Sequence, residues 1–246
     1  MTRRKYRPVR SIVTLLVAAA VAQAAAAFSV DPMTVELSPT GAGAVVSFRV
    51  INDTDTPVAV VVSVLTRAMA EDGTELNEPA GELFAVLPSR IVVDPKSVRV
   101  VKVQWRGDIS LPFERAFRVV VEQVPVDFSS GQASGIRIMF RYLASLYIVP
   151  PDARANVLVT AVEPGLRDDA PGLWLTLRNE GDKHAVLRSP ELIVNDGAIE
   201  LALPAEALAG LEGRNMLARS TLTIFIPWAG AAVEKSYEGV LTARYD

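Results

Sequence analysis

The sequence predicts an all-β protein of two sandwich domains, on three observations. Short runs rich in Val, Ile, Leu, Thr and Phe recur about every ten residues between turn clusters, helical periodicity is scarce, and Pro150-Pro151 splits the strand pattern in two. Consecutive prolines cannot continue a sheet ladder, so the boundary is placed there, giving domains over residues 28–150 and 151–246.

Residues 1–27 precede the pattern. Arg3, Arg4, Lys5, Arg7 and Arg10 are followed by an apolar run from Ile12 to Val21 and then by Ala25-Ala26-Ala27, the layout of a secretory signal peptide. The run is roughly ten residues, whereas spanning a bilayer takes about 20, so cleavage near Ala27 is expected rather than a retained anchor. Removing those five cations from the 25 leaves 20 basic residues against 28 acidic ones, net −8. Such a charge repels nucleic acid and anionic lipid, and neither is expected as a partner. The chain has no cysteine, so an exported form must be held by its cores alone. No later apolar run is long enough to cross a membrane, and no membrane insertion is expected after cleavage.

In the first domain the alternation predicts strands over Val35–Leu37, Ala44–Ile51, Val58–Leu65, Ile91–Val93, Val98–Trp105, Ala116–Gln123 and Ile136–Val149. Turns fall at Asn52-Asp53-Thr54-Asp55, Glu71-Asp72-Gly73 and Asp94-Pro95. About seven strands suit one immunoglobulin-like domain. In the second domain strands are predicted over Asn156–Val162, Leu173–Asn179, Ala185–Leu187, Leu192–Val194, Ala198–Leu203, Ser220–Ile226 and Gly239–Tyr245, with a turn at Asn195-Asp196-Gly197 and a short helix over Ala205–Leu211.

The most informative stretch is Gly135-Ile136-Arg137-Ile138-Met139-Phe140-Arg141-Tyr142. Strict alternation puts Ile136, Ile138, Phe140 and Tyr142 on one face and Arg137 and Arg141 on the other. Such a row either faces the domain's own core or is offered to another protein.

Catalytic chemistry finds little support. His184 is the single histidine, in a turn-like Asn179-Glu180-Gly181-Asp182-Lys183-His184, so a histidine-rich zinc site is impossible and only a Ser-His-Asp arrangement stays open. No nucleophile elbow, phosphate-binding loop or dinucleotide fingerprint occurs. Asp168-Asp169 reads as solvated turn charge, and Asn52-Asp53-Thr54 matches a glycosylation sequon only weakly. The expectation is a protein that is not an enzyme, with no cofactor and no metal.

Several segments, in order, resemble the periplasmic pilus-assembly chaperones of the chaperone-usher family. They are Phe28-Ser29-Val30-Asp31-Pro32, Val50-Ile51-Asn52-Asp53-Thr54, Leu87-Pro88-Ser89-Arg90-Ile91-Val92-Val93-Asp94-Pro95 running into Val98-Arg99-Val100, Phe117-Arg118 with Glu122-Gln123-Val124-Pro125, and Leu146-Tyr147-Ile148-Val149-Pro150. Leu175-Thr176-Leu177-Arg178-Asn179-Glu180-Gly181 with His184 extends the resemblance into the second domain. The resemblance implies two immunoglobulin-like domains set at an angle and a periplasmic chaperone that binds pilus subunits lacking their final strand and delivers them to an outer-membrane usher. Its first domain would lend a strand, with Ile136, Ile138 and Phe140 inserted into the subunit and Tyr142 in the same row. A free protein would need that row mobile, self-capped or blocked by dimerisation.

The chain departs from the family where well-studied members hold the subunit's terminal carboxylate with an arginine and a lysine. Those positions correspond to Thr34 and Ser145. The resemblance offers Arg118 as the replacement anchor, with Arg115 and Arg141 behind it, and points to the archaic, spore-coat-like branch. The competing reading is an exported two-domain sandwich with a structural or adhesive role and its apolar row buried internally; a hydrolase built on His184 is the third.

Overall fold

Period-two alternation with β-branched residues dictates extended chain, and the computed structural model describes residues 28–126, 138–232 and 234–245 as eighteen strands joined by turns. The strands fall into two lobes, each with its own apolar core.

The first lobe contains β1 (Phe28–Asp31), β2 (Thr34–Leu37), β3 (Val45–Asn52), β4 (Val58–Thr66), β5 (Ala68–Met69), β6 (Glu75–Leu76), β7 (Phe84–Leu87), β8 (Arg90–Val93), β9 (Ser97–Trp105), β10 (Arg115–Gln123) and β11 (Arg141–Ile148). One sheet has the order β1-β3-β9-β7 and the other β2-β11-β10-β4-β8, while β5 and β6 form a separate small hairpin. Phe48, Val50, Val101 and Val103 from the first sheet meet Phe117, Val119, Val121 and Leu146 from the second, all fully buried. Phe84, Trp105 and Phe117 pack together at one end, Phe84 edge to face on both of the others.

The second lobe contains β12 (Val157–Arg167), β13 (Ala170–Asn179), β14 (Ala185–Asn195), β15 (Glu200–Ala202), β16 (Asn215–Met216), β17 (Thr221–Pro227) and β18 (Glu238–Tyr245). One sheet has the order β12-β13-β17; in the other β14 pairs with β15, β16 and β18. Asp168 and Asp169 have φ of 52° and 62° and close a two-residue hairpin between β12 and β13, the left-handed turn that matches strand twist.

The structure corrects several expectations. The segment Ala205–Leu211 is not a helix. Its hydrogen bonds run three residues back, as in Ala207 N to Pro204 O and Leu208 N to Ala205 O, which makes successive turns beside Gly210 and Gly213. Ala185–Leu187 and Leu192–Val194 are one strand with an irregularity between Arg188 and Glu191, where Pro190 interrupts the ladder. The last strand of the first lobe begins at Arg141, not Ile136; Ile136 and Arg137 lie outside the described residues. Strand β7 and the two-residue strands β5, β6 and β16 are not among those that the alternation predicts.

Each lobe buries one asparagine that stitches loops together. The Asn52 amide nitrogen lies 2.8 Å from Thr56 O, 3.0 Å from Val93 O and 3.1 Å from Asp94 O, and its carbonyl accepts from the Thr54 N–H. Asn179 repeats the device on Lys183, Met216 and Leu217, and accepts from Asn156 and Gly181. Both side chains are fully buried, so Asn52 works as structural glue and the sequon at Asn52-Asp53-Thr54 has no exposed acceptor.

Candidate functional site

The row singled out by the sequence runs along β11 and out of the core. Ile148, Leu146 and Ala144 are fully buried on the inner face. Tyr142 and Phe140 are half-buried and pack against the first core, Tyr142 edge to face on Phe28 with its hydroxyl donating to the Phe28 carbonyl. Ile138 is 63% exposed. Ile136 falls outside the described residues. Successive members of one row thus pass from core to solvent between Ile148 and Ile138. Met139 and Leu143, on the other face, are exposed as well.

The backbone edge changes at the same place. Along its length β11 pairs antiparallel with β10, from Arg141 opposite Glu122 to Ile148 opposite Arg115. On its other side, among the described residues, β2 pairs parallel with β11 only from Ser145 onward, Thr34 opposite Ser145 through Leu37 opposite Ile148. Arg141 to Ala144 therefore leave one ladder edge open, and the opening ends where β2 begins. A guest strand running parallel to β11 would bring its carboxyl end to Thr34 and Ser145.

Arg118 stands at that end. It is opposite Ser145 in the β10–β11 ladder and its Nη1 donates to Ser145 Oγ at 2.6 Å. The rest of the guanidinium holds Glu75 of the β5–β6 hairpin side-on, Nε to Oε1 at 2.8 Å and Nη2 to Oε2 at 2.6 Å. Arg67 adds its Nε to the same Oε2 at 2.9 Å and its Nη1 to the Tyr147 hydroxyl at 2.6 Å. The Arg118 hydrogen bonds, helped by Asn77 and the Arg67 charge against the opposing pull of burial, lower the Glu75 pKa to about 2. The same Glu75 contact raises the Arg118 pKa. Thr34 and Ser145, the uncharged positions where the sequence departs from the resembled clamp, sit beside Arg118 in one row across three strands.

The second lobe closes this end of the sheet. Tyr147, buried on the outer face of β11, stacks on His184 with ring centres 3.9 Å apart and accepts from Asn215 Nδ2 at 2.8 Å. His184 is buried and its Nδ1 lies 2.7 Å from Glu114 Oε2, while the Glu114 N–H donates to the Asp182 carbonyl. Lys183 reaches Glu36 of β2 at 2.9 Å. The hairpin touches the second lobe too, its Glu71 carbonyl accepting from the Thr223 N–H. A cavity of about 530 Å³ lies between Arg67, Met69, Gly73 and Glu75 on one side and Gly210, Arg214 and Asn215 on the other.

The weaker candidates are otherwise engaged. Arg115 lies over the Trp105 and Phe117 rings, and Arg141 pairs with Glu122 across the ladder at 3.6 Å. His184 serves the seam between the lobes. Sequence reasoning missed Glu75, Arg67 and Tyr147. Tyr147 carried a signal, an aromatic on the outward face of an otherwise alternating strand; the other two carried none. Among the described residues no cluster of three or more His, Cys, Asp or Glu could hold a metal ion, and no helix is long and apolar enough to cross a membrane.

Comparison with known proteins matches residues 28–153 to the family described as pili and flagellar-assembly chaperone, PapD N-terminal domain. Solved structures with similar folds include CsuC in the CsuC-CsuE chaperone-tip adhesion subunit pre-assembly complex from the archaic chaperone-usher Csu pili of Acinetobacter baumannii. There the TM-score is 0.53 at 14% identity, covering 81% of this chain and 90% of that one. The E. coli chaperone DraB gives 0.52 at 18% identity, with 83% and 86% covered. SafB, in complex with the Salmonella enterica SafA pilin, gives 0.51 at 17% identity, with 82% and 84% covered. No curated protein sequence matches the chain.

Proposed function

We propose, from the premise that this chain belongs to the family of pili and flagellar-assembly chaperones, that it captures pilus subunits lacking their last strand by lending them the start of β11 and the residues leading into it. The observation that carries this reading is the coincidence of two endings. The inner row of β11 leaves its own core between Tyr142 and Ile138, and the strand edge is open over Arg141 to Ala144. An unfinished sandwich lacks both apolar side chains and ladder partners, and one segment supplies both. Strand addition is the established way in which pilus chaperones complete their subunits, and it is the mechanism applied to this chain.

Ile136, Ile138 and Phe140 insert, and Tyr142 marks where the row returns to its own lobe. Burying three such side chains at about 1.5–3 kcal/mol each contributes roughly 5–9 kcal/mol before ordering costs. Arg118 receives the subunit's terminal carboxylate at the end of the open edge, in place of charges at Thr34 and Ser145, an arrangement that fits the archaic branch. Residues 28–150 form the subunit-binding domain and 151–246 the second domain. The segment 1–27 directs the chain to the periplasm, where an outer-membrane usher takes the subunit by strand exchange, with neither catalysis nor ATP. Without subunit, the exposed row needs to be mobile, self-capped or covered by a second copy.

Co-expression with candidate subunits tests this. Ile138→Asp is expected to leave the chaperone folded and abolish recovery of soluble subunit. Undiminished recovery would remove the donor-strand reading.

A further inference from the structure

We infer that Arg67 and Arg118 together form a carboxylate-binding site, and that Glu75 is its resident internal ligand, expelled when a captured strand delivers its own terminal carboxylate. The inference rests on the reading of Arg118 as the anchor and adds to it a second cation and a competitor.

The geometry is that of an occupied site. Both Glu75 oxygens are taken side-on by the Arg118 guanidinium, and Oε2 is shared with Arg67 at 2.9 Å. Two cations thus face one carboxylate, and the side chains of Arg67 and Arg118 are only 10% and 17% exposed. Two guanidiniums held this far from water need an anion, because a buried cation without a partner is costly. A guest strand parallel to β11 ends beside Ser145, which Arg118 already contacts, so its carboxylate arrives within the reach of the same two groups.

Apart from the arginines, the Glu75 carboxylate is held by Asn77 Nδ2 at 3.1 Å, two residues along its own segment. It lies in a hairpin whose strands are two residues each, with a tip that rests on the second lobe through one backbone hydrogen bond, Thr223 to Glu71. A hairpin this small adds little ladder of its own. The adjoining cavity of about 530 Å³ gives the displaced side chain somewhere to go. Exchange of one carboxylate for another conserves the charge-assisted bonds, so release of Glu75 costs mainly the hairpin's own contacts.

A ten-residue peptide of alternating Val and Thr ending in Phe, made as free acid and as amide, tests this by fluorescence anisotropy on the full chain. Glu75→Gln is expected to bind the acid about tenfold more tightly than wild type, with amide binding unchanged. In wild type, the acid and not the amide should accelerate amide hydrogen exchange across residues 68–76. The exchange measurement needs no variant and decides the matter if Glu75→Gln fails to fold. Equal acid affinity in wild type and Glu75→Gln, or hairpin protection that ignores the acid, overturns Glu75 as competitor. If the acid keeps its advantage over the amide in Arg118→Ala, the anchor reading itself fails. Loss of that advantage in Arg118→Ala but not in Arg67→Ala removes Arg67 from the site.

Discussion

Among the described residues, β11 has one ladder neighbour upstream of Ser145 and two from Ser145 onward. The residue pattern is the same in both halves, alternating apolar and outward-facing positions, yet Leu146 and Ile148 are fully buried and Ile138 is mostly exposed. The difference lies in what the rest of the chain places beside each half. Where β2 completes the sheet, the row is core; ahead of it, among the described residues, the same row passes from buried Ala144 through half-buried Tyr142 and Phe140 to exposed Ile138. A β-strand's alternation therefore says which side chains share a face, and the neighbouring edge decides whether that face is spent at home or left for a partner.

The sharpest way to break this comparison is to truncate both halves. Leu146→Ala is expected to lose about 2–5 kcal/mol in urea denaturation, the cost of a cavity in a packed core. A loss below about 1 kcal/mol would mean that the downstream half is not core. Next comes the Arg118–Glu75 pair at the junction. The folded-state pKa of Glu75, about 2, lies below its ordinary 4.5, so the stability it contributes is fully present above pH 4.5 and is lost as pH falls toward 2. The gap in urea midpoint between wild type and Glu75→Gln should narrow between about pH 6 and about pH 3, and a gap that stays constant would show that the arginine contacts do not act in solution.

At the border residue, Tyr142→Phe removes only the bond to the Phe28 carbonyl and should cost about 0.5–1.5 kcal/mol in the same denaturation. No cost would extend the open half inward as far as Tyr142. The smallest effect is expected furthest upstream, where Ile138→Ala should change stability by less than about 0.5 kcal/mol. A larger loss would give Ile138 a buried role in its own lobe and blur the division between the halves.

The two sandwiches and the alternating row were legible because strand periodicity is local. A reader of Ile138, Phe140 and Tyr142 knows that they share a face. The open edge was not legible, because it depends on β2 joining β11 in parallel from the far end of the first lobe's sequence. Glu75 was hidden for a different reason: a two-residue strand has no period, and only the turn Glu71-Asp72-Gly73 announced the hairpin. His184 looked like a turn residue because Glu114, which holds it, belongs to the other lobe. The segment Ala205–Leu211 does place Leu208 and Leu211 inward as a helix would, but Pro204 and the glycines at 210 and 213 leave too little chain to nucleate one. Arg118 was singled out through family resemblance, and its position beside Ser145 and Thr34 follows from a register that no sequence pattern displays.

The joint between the lobes has one further consequence. Among the described residues it is fastened through four elements of the first lobe: β2 by Glu36, the turn of the β5–β6 hairpin by Glu71, the loop before β10 by Glu114, and β11 by Tyr147. Fastening at several points opposes swinging of the elbow. A strand docking along β11 would meet a ledge already in place, and discrimination among guests would fall to length and fit.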